Sequence, residues 1–424
     1  MNTISNLPVK GTSDWYPSEY LVRKYIFDTW RKVCLSFGYE EYLTPIVEEA
    51  SMYRAKSGED VGGKELMAFT DRGGRELSIR PEMTPSVTRM VSRIYGGVPK
   101  PIRLFSIANY FRNEKPQRGR NREFWQLNYD IFGSSSLEAD IEILTISLEI
   151  MMALKAPKGS FTLRLNNRKL IEGVLDLITK DKEKRTLIAR VMDKYEKIDQ
   201  FTKLVLLQSS NDVKEIGLTN EQVDILDKFI YSNSLDEVIE KFPSLKDNEG
   251  YKEILEILNR LSKYSDFIKF IPSVIRGFDY YDGMIFEVFD NNLKNLRAMF
   301  WGGRYNGLAG IFGGTSFEAV GCAPGDETTK LFLEVNNLIP DNLKPEVYYL
   351  PLLTDDKKYY QELASKLRSE GKNVVIGYEL QNVSKALAYA NSRSYTYVVI
   401  AGEEEIKDGK VKVKNMKSGE EKSL

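Results

Sequence analysis

The chain has 424 residues, 60 Lys and Arg against 61 Asp and Glu, a formal net charge of −1 and 42% hydrophobic residues, which supports packed cores in two or three domains and leaves any contact with nucleic acid to local basic patches. No apolar run reaches the ~18–20 residues that a membrane-spanning helix needs, and two distant cysteines, Cys34 and Cys322, exclude a disulfide framework and a Cys-rich zinc site. The chain has no histidine, which excludes Ser-His-Asp triads, HExxH zinc sites and imidazole bases.

The spacing predicts a helix over 17–37, opened by Pro17 and stopped by Gly38, with Val22, Ile26, Trp30, Val33 and Phe37 on one face. The residues before it, Met1 to Ser5, show no basic segment leading into an apolar stretch, so no secretory signal is expected and a reducing cytoplasm is the expected compartment. A strand follows over 39–47. Gly58 to Lys64 spells GxxxxGK, but Glu65 stands where Ser or Thr must hold magnesium and no apolar strand precedes it, so it is not read as a phosphate loop. Asp71-Arg72-Gly73-Gly74-Arg75 is a turn before a short strand at 77–79 that runs into Arg80-Pro81-Glu82. Thr84 is the predicted cap of the next helix, with Pro85 at its first position.

Two long strands, 101–112 and 122–132, are joined by a basic loop. Alternation along the second puts Trp125, Leu127, Tyr129 and Ile131 on one face and Arg122, Phe124, Gln126, Asn128 and Asp130 on the other. The polar face reads either as a ligand floor or as an ordinary solvated surface. In the loop, Arg112, Lys115, Arg118, Arg120 and Arg122 suit phosphates, because guanidinium groups bind oxyanions bidentately. Glu114 among them could serve a base or a metal, and a charged hairpin tip is the plainer alternative. A helix to about 154 follows, capped by Ser135 or Ser136, with Glu138 placed as in a capping box.

From about 165 to 268 the composition turns to Leu, Ile, Lys and Glu with helical periodicity, which predicts a helical insertion. Strands return at 274–278, 284–289 and 296–301, interrupted by Trp301-Gly302-Gly303-Arg304-Tyr305 and Gly313-Gly314. In Arg276-Gly277-Phe278-Asp279-Tyr280-Tyr281 an arginine among apolar residues needs a partner when buried, either a ligand or an internal carboxylate. A helix at about 326–336 and a linker at 336–344 lead to a βαβαβ pattern, which predicts a small α/β domain with a mostly parallel sheet and a closing hairpin at 410–417.

Taken together and in this order, these segments resemble the histidyl-tRNA synthetases over almost the whole chain. Gly11-Thr12-Ser13-Asp14, the helix behind it and Gly38-Tyr39 to Pro45 look like the first class II motif. Arg80-Pro81-Glu82-Met83-Thr84 is similar to the family's RPEGT segment, and Phe111-Arg112-Asn113-Glu114 through Phe124-Trp125-Gln126 to its second motif. Arg276 to Tyr281 resembles RGLDYY, and Gly302-Gly303-Arg304-Tyr305 the second histidine-specific segment. The resemblance implies an α+β catalytic domain over 1–335, built on a class II synthetase antiparallel sheet flanked by helices and carrying the insertion at about 165–268. The linker at 336–344 and an α/β anticodon-binding domain over 345–424 complete it.

The same resemblance implies activation of histidine by ATP to histidyl-adenylate, transfer to the 3′ end of tRNA-His, Mg2+ carried by the ATP, and a homodimer joined through the first motif. It assigns Arg112 and Arg276 to catalysis at the α-phosphate. Histidine falls to Glu82, Thr84, Gln126, Asp130, Arg276, Tyr280 and Tyr281; ATP to Arg112, Glu114, Arg120, Phe124 and Arg304; and the tRNA acceptor end to Lys115 and Gln117. Three positions depart from the family. In the third motif, Gly325-Asp326-Glu327-Thr328, a threonine stands where the family has an arginine for the γ-phosphate, beside an acidic Asp326 that disfavours ATP. Met83 replaces a glycine and Trp125 a histidine. A synthetase-like regulatory subunit of ATP phosphoribosyltransferase, or a histidine sensor, is the alternative; the C-terminal domain and the Arg276 segment weigh against it. A histidine enzyme without histidine could be translated while histidine is scarce.

Overall fold

The computed structural model describes residues 4–55, 63–195, 198–208, 216–275, 281–295, 297–313 and 315–423. Arg276, Gly277, Phe278, Asp279 and Tyr280, and most of the GxxxxGK segment, lie outside the described residues. The chain forms two compact units, Met1–Ile339 and Pro340–Leu424.

In the first unit, α1 (Pro17–Ser36) begins on Pro17, and its buried residues Arg23, Ile26, Phe27, Trp30, Val33 and Cys34 recur at helical spacing. Gly38, at φ 77°, ends it in a conformation that strains any other side chain. The strand predicted over 39–47 is broken into β1 (Glu40–Glu41) and β2 (Val47–Glu49). Between them the Thr44 carbonyl accepts from the buried Arg80 guanidinium at 2.9 Å, and Pro45 has no N–H to give a ladder. After α2 (Ala50–Arg54), β3 (Met67–Thr70) and β4 (Glu76–Ile79) complete a small sheet in the order β2-β4-β3. The Asp71 carboxylate holds the β3–β4 turn by accepting from the Gly73 and Arg75 amides. In α3 (Thr84–Ile94) the cap position falls to Met83, so Thr84 is the first helical residue and Pro85 the second. Met83 is buried, and its side chain gives the helix no capping bond.

The main sheet begins with β5 (Ile102–Phe111) and β6 (Glu123–Phe132), antiparallel along their full length. Ser136 caps α4 (Leu137–Ala153) by accepting from the Glu138 amide at 3.2 Å. The predicted capping box does not form: with Ser136 as the cap, Ala139 takes the third helical position, and the Glu138 carboxylate pairs with Arg260 instead. β7 (Phe161–Asn167) precedes the insertion, whose helices are α5 (Arg168–Asp176), α6 (Lys182–Met192), α7 (Gln200–Gln208), α8 (Asn220–Ile230), α9 (Leu235–Lys241) and α10 (Glu249–Arg260). The sheet resumes with β8 (Ile268–Phe270), β9 (Met284–Asp290), β10 (Ala298–Arg304) and β11 (Ala319–Cys322), and α11 (Asp326–Val335) follows. The strand expected from 274 is absent at Val274 and Ile275, and β11 was not expected.

The strand order is β1-β5-β6-β11-β10-β9-β7-β8. Every neighbouring pair is antiparallel except the two edge pairs, β1–β5 and β7–β8. One face buries Trp30, Leu127, Tyr129, Ile131, Ile143 and Phe332 in a core shared with α1, α4 and α11. Each such side chain contributes about 1.5–3 kcal/mol by leaving water. The other face packs Phe132 with Val87 and Val91 of α3 and with Leu308 and Phe317.

The second unit alternates as expected: β12 (Tyr348–Leu352), α12 (Lys357–Ser369), β13 (Val374–Leu380), α13 (Val383–Ser392) and β14 (Tyr397–Ile400). A short α14 (Glu403–Asp408) then leads to β15 (Lys412–Asn415) and β16 (Glu421–Ser423). The order is β13-β12-β14-β15-β16; the first three are parallel and the hairpin antiparallel.

Candidate active site

Strand alternation in β6 separates two environments. Leu127, Tyr129 and Ile131 enter the helix-covered core. Gln126, Asn128 and Asp130 point the other way and are only 8%, 3% and 3% exposed, which rules out a solvated face. Instead they floor a cavity of about 440 Å³, walled by Thr84, Tyr281, Phe286, Trp301, Tyr305, Gly321 and Cys322. Within it, Asn128 Nδ2 donates to the Tyr110 hydroxyl at 2.9 Å, and the Tyr305 hydroxyl donates to Asp130 Oδ1 at 2.5 Å. Asp130 Oδ2 is buried without a partner among the described residues. Burial pushes this carboxyl up to about 7, opposed in part by the Tyr305 hydroxyl. Gly321 is required beside it, since a Cβ there would overlap the Asp130 carboxylate. An unmatched buried acceptor in a cavity of this size is an incomplete site that a small donor-bearing ligand would finish.

A larger chamber of about 940 Å³ adjoins the first. The two share Glu82, Arg112, Arg120, Gln126, Asp193, Val274, Glu287, Trp301 and Ala323. The outer one adds Glu65, Glu114, Gln117, Phe124, Arg164, Arg297 and Thr328. Arg112 Nε donates to the Pro81 carbonyl at 3.1 Å, and its guanidinium carbon lies 5.1 Å from the centre of the Phe124 ring. Arg120 faces Glu114 at 3.4 Å; Arg164 faces Glu287 at 3.3 Å and stands over the Phe289 ring. Four arginines around one opening suit a polyphosphate. No cluster of three or more acidic or cysteine side chains suited to a metal occurs among the described residues, and Glu114 and Glu287 each face an arginine instead.

Glu82, Thr84, Gln126, Asp130 and Tyr281 thus meet around the inner chamber, and Arg112, Glu114, Gln117, Arg120 and Phe124 around the outer one. Arg276 and Tyr280 lie outside the described residues. Lys115 is exposed on the loop and lines neither chamber. Arg304, expected at ATP, also lines neither. It is buried against Asp140 of α4 at 2.6 Å and donates to the Ser134 and Ser136 carbonyls at 2.8 and 3.2 Å. That geometry ties the start of α4 to β10.

Asp326 does not leave a free negative charge at the outer chamber. It is fully buried, pairs with Arg23 of α1 and accepts from the Trp125 amide at 3.0 Å. Glu327 also pairs with Arg23, and Lys330 turns to Glu334 at 3.6 Å. Trp125 fills its place by packing on Trp15 and Phe27. The sequence reading missed Glu287, Trp301 and Tyr305 as site residues. Tyr305 carried a usable signal, since a buried tyrosine needs a partner for its hydroxyl.

Comparison with known proteins agrees with this arrangement. The histidyl-tRNA synthetase family model matches residues 11–325, and the anticodon binding domain model matches 346–424. A histidine–tRNA ligase of Leptospira biflexa is 39% identical across 96% of this chain and 93% of its own length. One of Thermococcus kodakarensis is 34% identical across 98% and 95%. The crystal structure of histidyl-tRNA synthetase from Nostoc sp. PCC 7120 has the same fold, with a TM-score of 0.83 at 22% identity over 100% of this chain and 97% of that one. Two adjoining chambers on an antiparallel sheet, a separate anticodon-binding unit and full-length relatives at this identity place the chain in the histidyl-tRNA synthetase family.

Proposed function

We propose that this protein activates histidine with ATP and transfers the histidyl group to the 3′ end of tRNA-His. The observation that carries the reading is the polar floor of Gln126, Asn128 and Asp130 opening beside an arginine-walled chamber. Histidine brings an ammonium and a ring N–H, both donors, and the inner chamber offers Glu82, Gln126 and the unmatched Asp130 oxygen. A site built to accept those bonds rejects isosteric side chains that lack them. ATP occupies the outer chamber, with adenine against Phe124 and its phosphates among the arginines.

In the first step the histidine carboxylate attacks the α-phosphorus and pyrophosphate leaves. The α-phosphate must then sit where the chambers meet, and Arg112 lines both. Its guanidinium stabilises the charge that builds on the phosphoryl oxygens. By the family resemblance Arg276 is assigned the same task, and Tyr280 the closing of the pocket. In the second step a terminal ribose hydroxyl of the tRNA attacks the histidyl carbonyl and AMP leaves. Lys115 and Gln117 are assigned to the incoming acceptor end. Magnesium enters as the counter-ion of the ATP phosphates. The active form is a cytoplasmic homodimer joined through the first motif.

ATP–pyrophosphate exchange, run with each of the twenty amino acids, tests the reading. Exchange with histidine alone supports it. Absence of exchange, with histidine still bound by calorimetry, would instead identify a histidine-binding regulatory protein. Arg276→Ala should abolish exchange while leaving the unfolding transition in place; near-normal exchange would remove Arg276 from the mechanism.

A further inference from the structure

Of the four arginines on the outer chamber, three have a protein acceptor at close range: Arg112 has the Pro81 carbonyl, Arg120 has Glu114 and Arg164 has Glu287. Arg297 differs. Its Nη2 reaches only the Gln117 side-chain oxygen, at 3.5 Å, and its Nη1 is buried with no hydrogen-bond partner among the described residues. That nitrogen lies against the tip of the β5–β6 loop, where a Cβ at Gly119 would stand 3.4 Å from it. A buried cationic donor left unmatched is costly unless a ligand supplies the acceptor.

The lining pattern says which part of the nucleotide that is. Arg112 and Arg120 border both chambers, whereas Arg297, like Arg164, borders the outer one alone. Thr328, in the first turn of α11, lines the same chamber, and its single hydroxyl proton is shared between the Met299 carbonyl at 3.3 Å and the Gly325 carbonyl at 3.2 Å. Thr328 therefore offers no charge, and it meets β10 two residues from Arg297.

We propose that Arg297 binds the β,γ end of ATP and neutralises the departing pyrophosphate, supplying from the edge of β10 the cation that α11 lacks at Thr328. The inference rests on the ATP-dependent reading above. It makes Arg297 a substrate-contacting residue for the first step only.

The test uses the full chain in pyrophosphate exchange, with wild type, Arg297→Ala, Arg297→Lys, Thr328→Arg and the Arg297→Ala/Thr328→Arg double variant. Exchange by wild type secures the underlying reading, and its absence would fault that reading rather than this residue. Given wild-type exchange, Arg297→Ala should raise KM for both ATP and pyrophosphate by about 10- to 100-fold, the scale of a lost charge-assisted hydrogen bond. The histidine KM should stay unchanged, and Arg297→Lys should fall between the two. Adding Thr328→Arg to the Arg297→Ala variant should recover most of the loss, because it returns a guanidinium to the same chamber. Unchanged ATP and pyrophosphate KM in Arg297→Ala would overturn the proposal. So would a loss that spreads equally to histidine and is not rescued by Thr328→Arg, the pattern of a purely structural role.

Discussion

Burial holds the Asp130 carboxyl at about 7, well above the ordinary carboxylate range, and this has two consequences of opposite sign. For stability, the folded chain keeps a proton that the unfolded chain has already released between about pH 4 and pH 7. Asp130 therefore favours folding below that window, and its contribution is lost as pH rises through it. For binding, the charged carboxylate is the better acceptor for histidine, so kcat/KM for histidine should rise with pH through about 7 in the free enzyme. Asp130→Asn should flatten that limb, leaving only the substrate's own imidazole titration, and should weaken histidine binding. An identical pH–rate profile in the variant would show that Asp130 does not govern recognition. The neighbouring Tyr305 hydroxyl already occupies one carboxylate oxygen, which leaves the other to the ligand.

At the scale of elements, the buried pair between Arg304 of β10 and Asp140 of α4 pins the first turn of a core helix to the sheet. Removing either partner leaves the other charge buried alone, at a cost of about 3–5 kcal/mol. Arg304→Ala should therefore shift the urea unfolding midpoint strongly while the folded enzyme keeps its ATP KM. A raised ATP KM with unaltered stability would return Arg304 to the nucleotide. This pair also marks what the sequence could and could not disclose. The two-residue alternation of β6 is a local pattern, so its split into an apolar and a polar face was legible from 122–132 alone, whereas the choice between a solvated face and a cavity floor needed the burial that distant strands impose. Arg304 and Tyr305 are adjacent, however, and which of them reaches the cavity depends on Asp140, some 160 residues earlier in the chain. The break in the strand predicted over 39–47 has the same origin, since the Thr44 carbonyl is claimed by Arg80 from another element. The pairing of Asp326 with Arg23 likewise joins opposite ends of the first unit.

For the whole molecule, both chambers are lined by residues between Glu65 and Thr328, all within the first unit. The second unit has its own core around Leu350, Tyr360, Leu367 and Val399. A chain ending at Ile339 should retain histidine-dependent pyrophosphate exchange and lose most of its tRNA charging; loss of exchange as well would mean that activation needs the second unit. Among the described residues, no helix is long and apolar enough to cross a membrane. Finally, the protein itself contains no imidazole. A histidine bound as proposed over Asp130 is then the only histidine side chain in its complex, so no protein imidazole adds ring resonances of its own. The substrate becomes a built-in reporter: a nuclear magnetic resonance titration of the unlabelled enzyme with isotope-enriched histidine would read the ring's charge and tautomer directly, and with them the proton shared with Asp130.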